Sequence, residues 1–352
     1  MSQSTDETRG APEATLIPLI IGFMPSRVVH LAAQLGLADR LSDRPKEAHV
    51  LASETGTHAP SLHRLLRALA SIGVVDEGKP GCFALTPLGS QLRTDAPRSL
   101  RSLALLYGGD RAWQCWGSLL HSVRTGETAM EHLYGQGGFD YLAAHPDQAT
   151  VFNQAMSELT YEVARTVAAA YDFTQFRSIV DIGGGNGTLM TAILASAPVA
   201  RGIVFDLPAG NAEAARQLAA AGCKDRCDVV TGDFFHSVPS GADAYILKSI
   251  IHDWDDDRSV TILQNCCNAM SAGSKLLLVE RLMPVQMDSK PSHQRMAMLD
   301  MNMMAMPGGR ERTEPEYRAL LSASGFRLSR ILPLSVISSQ VDASIIEAVP
   351  RQ

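Results

Sequence analysis

The 352-residue chain is poor in cysteine, has no long hydrophobic run and lacks any surplus of positive charge. Its six cysteines, Cys82, Cys115, Cys223, Cys227, Cys266 and Cys267, are scattered or adjacent. They lack the paired short spacings of a zinc site or a disulfide-dense secreted domain, and read as reduced, packed thiols in a cytoplasmic protein. Lys and Arg number 31 against 37 Asp and Glu, and the deficit is shared by both halves of the chain, so the basic excess that nucleic acid phosphates demand is missing. The longest early apolar run, TLIPLIIGFM from Thr15 to Met24, is about half of a bilayer span. Asp6, Glu7 and Glu13 precede it with only Arg9 as a cation, so it reads as neither a membrane anchor nor a signal peptide. With 28 Gly and 18 Pro the chain is also too poor in these residues to be collagen-like or of low complexity.

What is present is an ordinary globular composition, 45% apolar and 19% charged, at a length that suggests two domains. A polar, turn-prone arm is expected over residues 1–14. Residues 15–110 read as an N-terminal domain of helices and a winged helix: a short helix from His49 to Glu54, a Gly turn, a helix with Leu62, Leu65, Leu66, Leu69 and Ile72, then Gly-bounded strands. Arg64, Arg67, His58 and His63 could face DNA, but no basic stripe accompanies them and Asp76 and Glu77 open the wing, which favours a structural or dimer-forming module. Residues 111–170 are helical in pattern, with a polar Gly-rich break from Gly126 to Asp140, and form a connecting region. From residue 171 to 352 the rhythm changes to short β-rich runs alternating with helices, the signature of an α/β Rossmann-like parallel sheet, with a closing hairpin near Arg327–Leu332 and Ser344–Val349.

Within that sheet, SIVDIGGGNG (178–187) is an apolar strand ending in Asp181, after which Gly183, Gly184, Gly185 and Gly187 lead into a helix. Glycine lets a ligand approach the backbone closely and permits φ > 0. A dinucleotide fold would place a third glycine where Thr188 stands, and an acid at the strand end repels a pyrophosphate. The same acid suits a cofactor bearing an ammonium and a sulfonium, such as S-adenosyl-L-methionine (SAM). Asp206 ends the next strand and could accept ribose hydroxyls. Gly232, Asp233 and Phe234 end the third, where a carboxylate and a ring could bond and stack an adenine.

These blocks, with FDLP (205–208), GDFF (232–235), LKSIIHDWDDD (247–257) and PGGRERTEPEYRALLSASGF (307–326), resemble the metal-independent O-methyltransferases that include caffeic acid and acetylserotonin enzymes and bacterial natural-product tailoring enzymes. The resemblance spans about residues 15 to 350. It implies that Gly184, Asp206, Leu207, Asp233, Phe234 and Lys248 line the SAM pocket, that His252 is the general base, and that Glu280 and Glu311 flank its imidazole. It also implies an acceptor wall at Met303 and Met306, within the run Met296, Met298, Met301, Met303, Met304 and Met306, faced by Phe152 and Met156, with Asp253 beside it. Many relatives carry Asn at the position of Met306, so a more apolar acceptor is expected here. A homodimer through the N-terminal domain follows from the same resemblance.

Methyl transfer from a sulfonium is an in-line displacement that needs the nucleophile about 3 to 3.5 Å from the methyl carbon. A phenol with pKa near 10 needs a base as the bond forms, and an imidazole of pKa near 6.5 is expected to be neutral at pH 7. His252 follows a strand at its carboxyl end, where ligands bind in open parallel sheets. Glu280 or Glu311 could hold one ring nitrogen, the latter favoured by its loop beside Gly308 and Gly309. The acidic run Asp255–Asp257 reads as helix capping, and no metal is expected. The sequence thus points to a SAM-dependent O-methyltransferase acting on a small aromatic hydroxyl acceptor, with no nucleic acid or membrane partner. The alternatives are a SAM-binding tailoring enzyme that transfers no methyl group and a winged-helix transcription regulator.

Overall fold

A computed structural model describes residues 12–334 and 343–351, which fall into two compact units, Met1–Trp113 and Gln114–Gln352. Most of the expected arm lies outside the described residues. Pro12, Glu13 and Ala14, its last three, are instead the first turn of helix α1 (Pro12–Ile20).

Helix α1 buries none of its residues, and Leu16, Ile17, Leu19 and Ile20 are each more than half exposed. Helix α2 (Phe23–Gln34) turns His30, Ala32 and Ala33 inward. Its Arg27 guanidinium donates to the Gly108 carbonyl, and His30 Nδ1 lies 3.2 Å from the Ala104 carbonyl oxygen. There follow α3 (Leu37–Arg40), the short strand β1 (Lys46–Glu47), α4 (Ala48–Thr55), α5 (Ala59–Ser71) and the hairpin of β2 (Val75–Lys79) and β3 (Cys82–Leu85). The sheet order is β1-β3-β2, all antiparallel. Helix α5 exists because Leu62, Leu66 and Leu69 recur at four- and three-residue steps and meet Leu37, Leu51 and Phe83 in one core. Leu65 and Ile72, expected on that face, are only partly buried. Helices α6 (Arg101–Gly108) and α7 (Asp110–Gly117) lead into the second unit.

That unit begins with α8 (Leu119–Thr125), α9 (Ala129–Tyr134), α10 (Gly138–Ala144) and the long α11 (Pro146–Ala170). The Gly-rich stretch expected to be a break therefore holds α9. Thr128 and Glu131 form a reciprocal capping box there, which starts a helix that hydrophobic periodicity alone does not reveal.

The sheet is built from β4 (Ser178–Ile182), α12 (Thr188–Ser196), β5 (Arg201–Asp206), α13 (Ala214–Ala220), β6 (Cys227–Thr231), β7 (Ala244–Lys248), α14 (Asp256–Ala269), β8 (Lys275–Arg281), α15 (Pro291–Ala305), α16 (Glu314–Ala323), β9 (Phe326–Leu334) and β10 (Ala343–Pro350). Its order is β6-β5-β4-β7-β8-β10-β9. Strands β4 to β8 run parallel, and β10 pairs antiparallel with both β8 and β9. Apolar residues cover both faces, as a doubly covered sheet requires. Val167, Ile193, Leu194 and Val204 pack on one side. Leu247, Ile262, Tyr317 and Phe326 pack on the other. The carboxyl ends of β4, β5, β6 and β7 thus share one edge, beside the point where strand order reverses.

Candidate active site

The glycine turn after β4 has the geometry of a ligand platform. Gly183, Gly185 and Gly187 have φ of 68°, 55° and 80°, a region that disfavours side chains. At Gly183 a Cβ would also overlap Ile250, whereas at Gly185 it would meet open space. Asp206 closes the turn: its carboxylate accepts the Gly185 N–H at 2.8 Å and the Leu207 N–H at 2.7 Å. Gly232 lies where a Cβ would run into the Phe205 ring.

Asp233 accepts the Phe235 N–H at 2.8 Å and approaches His236 at 3.1 Å, so its carboxylate also holds the 233–236 turn. Phe234 meets Phe235 and Trp254 edge-on. Under the platform, Asp181 is buried, its Oδ2 has no hydrogen-bond partner, and burial pushes its pKa up to about 7, with Lys248 opposing. Burial and the neighbouring Arg281 hold the Lys248 ammonium down to about 8. An approachable backbone rimmed by Asp206 and Asp233, with the Asp181 carboxyl beneath it, fits a ligand carrying ammonium and sulfonium charges, so the residues present suit SAM.

His252 lies in a single turn, Ile251–Asp253, just past β7. Its Nδ1 is 3.3 Å from Glu280 Oε2 and 3.4 Å from Glu311 Oε1, while Nε2 is 3.4 Å from Asp253 Oδ1. The two glutamates therefore face one nitrogen together. Glu280 Oε1 accepts the Ile250 and Ile251 N–H groups at 3.0 and 2.9 Å, so β8 itself fixes this turn. Glu311 is held by Arg281 at 3.3 Å, and its backbone N–H donates to Asp300 on α15 at 2.8 Å.

Burial alone would strip the proton from His252. Glu280, Asp253 and Glu311 overcome it and hold the imidazole up to about 9. The ring is then charged at pH 7, contrary to the neutral imidazole that its unperturbed value leads one to expect. The carboxylates diverge. Burial raises Glu280, whereas at Glu311 His252 and Arg281 outweigh burial and lower it. Burial also pushes Asp253 up to about 6.

Two backbone features make this constellation possible. Ser249 has φ of 54°, the one positive value outside glycine among the described residues, and it bends the chain between Lys248 and the histidine turn. Gly309 lies so close to the turn that a Cβ would overlap the His252 carbonyl, which explains why a Gly-Gly pair precedes Glu311.

The expected acceptor residues are less closely grouped. Phe152 on α11 meets Phe139 edge-on, with centroids 6.2 Å apart, and Phe139 stacks on Trp254 at 5.1 Å. Met156, one turn further along α11, is partly buried. Met303 is buried on α15, three residues after the Asp300 that holds Glu311. Met306 packs against Cys115, Ala129, Met130 and Ala305, with Tyr134 and Tyr141 nearby. Met298 is half exposed and departs from the expected wall.

Sequence reading missed Trp254, Phe139, Arg281 and Asp300. Trp254 sits inside the quoted HDWDDD block, and its aromatic character beside the base was the available signal. The others act through distant partners that spacing does not reveal. A separate group brings together ligand atoms of His121 on α8, His132 on α9 and Glu127 in the loop between them. Its two imidazoles are stacked with planes 14° apart, so their in-plane lone pairs do not converge on one ion.

Comparison with known proteins identifies the family. Residues 116–327 match the O-methyltransferase domain, and residues 17–95 match the O-methyltransferase dimerisation domain. The chain is 45% identical to the phenazine O-methyltransferase PhzM of Lysobacter antibioticus, over 93% of this chain and 95% of that protein. The crystal structure of LaPhzM superposes with a TM-score of 0.91 at 44% identity, covering 97% of this chain and all of that one. NcsB1, an O-methyltransferase of neocarzinostatin biosynthesis solved with SAM and 2-hydroxy-5-methyl naphthoic acid, gives a TM-score of 0.78 at 32% identity, covering 92% and 95% of the two chains. Matched by both family models and 45% identical to a relative over nearly its whole length, the chain belongs to the O-methyltransferase family of SAM-dependent enzymes.

Proposed function

We propose that this enzyme methylates a hydroxyl of a small, largely apolar aromatic metabolite, with His252 as the base that receives the hydroxyl proton. The observation that carries this reading is a buried imidazole, at the ligand-binding edge of the sheet, whose Nδ1 faces Glu280 and Glu311 together. Asp181, Gly183, Gly184, Gly185, Asp206, Leu207, Gly232, Asp233, Phe234 and Lys248 would hold SAM. When bound, SAM supplies a methyl group on a sulfonium, open to in-line attack. The carboxylate pair keeps the imidazole in one orientation and leaves Nε2 as the nitrogen that takes the proton. Charge on Nδ1–H is stabilised by a pair that is already in place and needs no reorganisation.

The raised pKa improves the match between base and acceptor. A phenol near 10 passing its proton to an imidazole near 9 costs about 1.4 kcal/mol, against roughly 5 kcal/mol for an unperturbed imidazole. The opposing effect is that only about 1% of His252 is neutral at pH 7. Acceptors whose hydroxyl is itself acidic, as on electron-poor rings, avoid that loss by arriving as the anion. Phe139, Phe152, Met156, Met303 and Trp254 supply flat, adaptable apolar surface for the ring, with Asp253 at the polar end. The aromatic acceptors named for the relatives are in keeping with this reading.

We also infer a homodimer formed through the N-terminal unit. Residues 12–34 are long and apolar enough by composition to cross a membrane. Yet a turn at residues 21–22 divides this stretch into α1 and α2, each shorter than a bilayer span, and α2 already buries His30, Ala32 and Ala33 within its own unit. The exposed face of α1 is better covered by a second copy of the family's dimerisation domain. Six free cysteines, four of them buried, suit a cytoplasmic enzyme.

The test is purified protein with labelled SAM and a panel of hydroxylated aromatics, phenazines and naphthoates among them. Transfer of label to a ring hydroxyl is expected. SAM binding without transfer to any of them would overturn the hydroxyl-acceptor reading.

A further inference from the structure

Arg312 is the bulkiest side chain that the structure buries completely, yet neither the cofactor turn nor the proton transfer uses it. Its guanidinium donates to both flanks of the turn that carries His252 and to the start of the helix that follows. Nη1 donates to the Ile251 carbonyl at 2.8 Å, and Nη2 donates to the Trp254 carbonyl at 2.7 Å. Ile251 immediately precedes His252 and Trp254 follows Asp253, so the two bonds grip both ends of the base's turn. Nε and Nη2 also reach Asp256 Oδ1 at 3.0 and 2.8 Å, and Nη2 reaches Ser259 Oγ at 3.3 Å, on the first turns of α14.

The Arg312 backbone is tied elsewhere. It forms a bridge with Leu282 and accepts the Met283 N–H at 2.9 Å, just beyond the strand that bears Glu280. Its chain neighbour is Glu311. The histidine turn and the two glutamates that face its Nδ1 thus come from separate elements, and Arg312 joins them.

We propose that Arg312 is a positioning residue whose guanidinium locks the Ile251–Trp254 turn so that His252 stays between Glu280 and Glu311 during methyl transfer. This rests on the reading of His252 as base. A planar fork suits the task because it spans two carbonyls and a carboxylate at fixed angles, which a compact ammonium cannot do. A buried ion pair is a poor source of stability, since desolvation offsets its attraction. The contribution of Arg312 is therefore geometric. Its loss leaves the Ile251 and Trp254 carbonyls with only longer contacts, to Ser259 Oγ at 3.4 Å each and, for Ile251, to the Trp254 N–H at 3.3 Å, and lets the imidazole drift from its carboxylates.

The test compares the full-length variants R312M, R312K, D256N and H252A with the wild type. Four quantities are measured: SAM affinity, kcat and acceptor KM, the pH profile of kcat, and the His252 titration by histidine NMR. R312M keeps the volume and removes the donors. It is expected to keep SAM affinity and acceptor KM, to lose about 10²-fold in kcat, and to move the His252 pKa from about 9 toward its ordinary value. R312K is expected to restore only part of kcat. Asp256 is half exposed, so D256N should fold even if R312M does not, and it should shift the titration in the same direction by less.

An unchanged His252 titration in both R312M and D256N would overturn the proposal. So would a fall in kcat matched by an equal loss of SAM affinity, which would mark a merely structural role. Retained turnover in H252A would instead refute the base reading, and the NMR titration would still report whether Arg312 fixes the ring.

Discussion

His252 holds its proton up to about 9, well above a free imidazole, and its kinetics should show it. The base must be neutral to act, so kcat/KM for a weakly acidic phenol is expected to rise with pH and level off near 9, as a rate–pH series would reveal. H252A should lose turnover by at least about 10²-fold while isothermal titration gives the wild-type SAM affinity. Glu280 and Glu311 both raise the ring's pKa from one side, so E280Q and E311Q should each lower it. An unmoved NMR titration in either variant would contradict that. The roles proposed for His252, Glu280 and Glu311 came from motif resemblance, because nothing in the spacing of residues 252, 280 and 311 shows that they meet. The height of the pKa was hidden for a related reason, since it needs three carboxylates around one buried ring.

At the scale of elements, the glycine turn and the parallel strands were legible because their causes are local. Ile179, Val180 and Ile182 make β4 an apolar strand around Asp181, and the turn glycines follow it directly. Helix α9 was not legible, because its capping box lies inside a run that is polar and Gly-rich. Arg312 was equally hidden: one arginine among the charges of GGRERTE looks like any solvated one, and its burial depends on α14 and β8 arriving together. Caps permit a separate check. Thr313 caps α16 by a reciprocal box with Glu316, so T313A should lower stability by about 1 kcal/mol in urea unfolding and leave the His252 titration in place. If that titration moved as well, the loop from Gly308 to Thr313 would be less rigid than its hydrogen bonds imply.

For the whole molecule, pH acts on folding in the direction opposite to its action on turnover. His252 has a folded pKa of about 9 against 6.5 unfolded. Its contribution to stability is therefore fully present below pH 6.5 and is lost as pH rises to 9, on the order of 3 kcal/mol. Asp181 and Asp253, raised to about 7 and about 6, also lose stability as pH rises from the ordinary carboxylate range. Thermal melts should show the midpoint falling between pH 6.5 and 9, and H252Q should flatten that fall. The exposed α1 face leads to a further expectation: placing Asp at Leu16 and Ile20 should shift the protein from dimer to monomer in light scattering.

The strand order has a consequence for synthesis. Strand β10, made after every other strand of the sheet, is threaded between β8 and β9, with Ser344 opposite Glu280. Until those last residues leave the ribosome, β8 has a bare edge, and the glutamate that steadies the histidine turn hangs on an unfinished sheet. The nascent chain can assemble its cofactor cradle, drawn from β4, β5 and β6, well before it can assemble its base. A stalled or clipped chain should therefore be a SAM binder with no means of handling the proton.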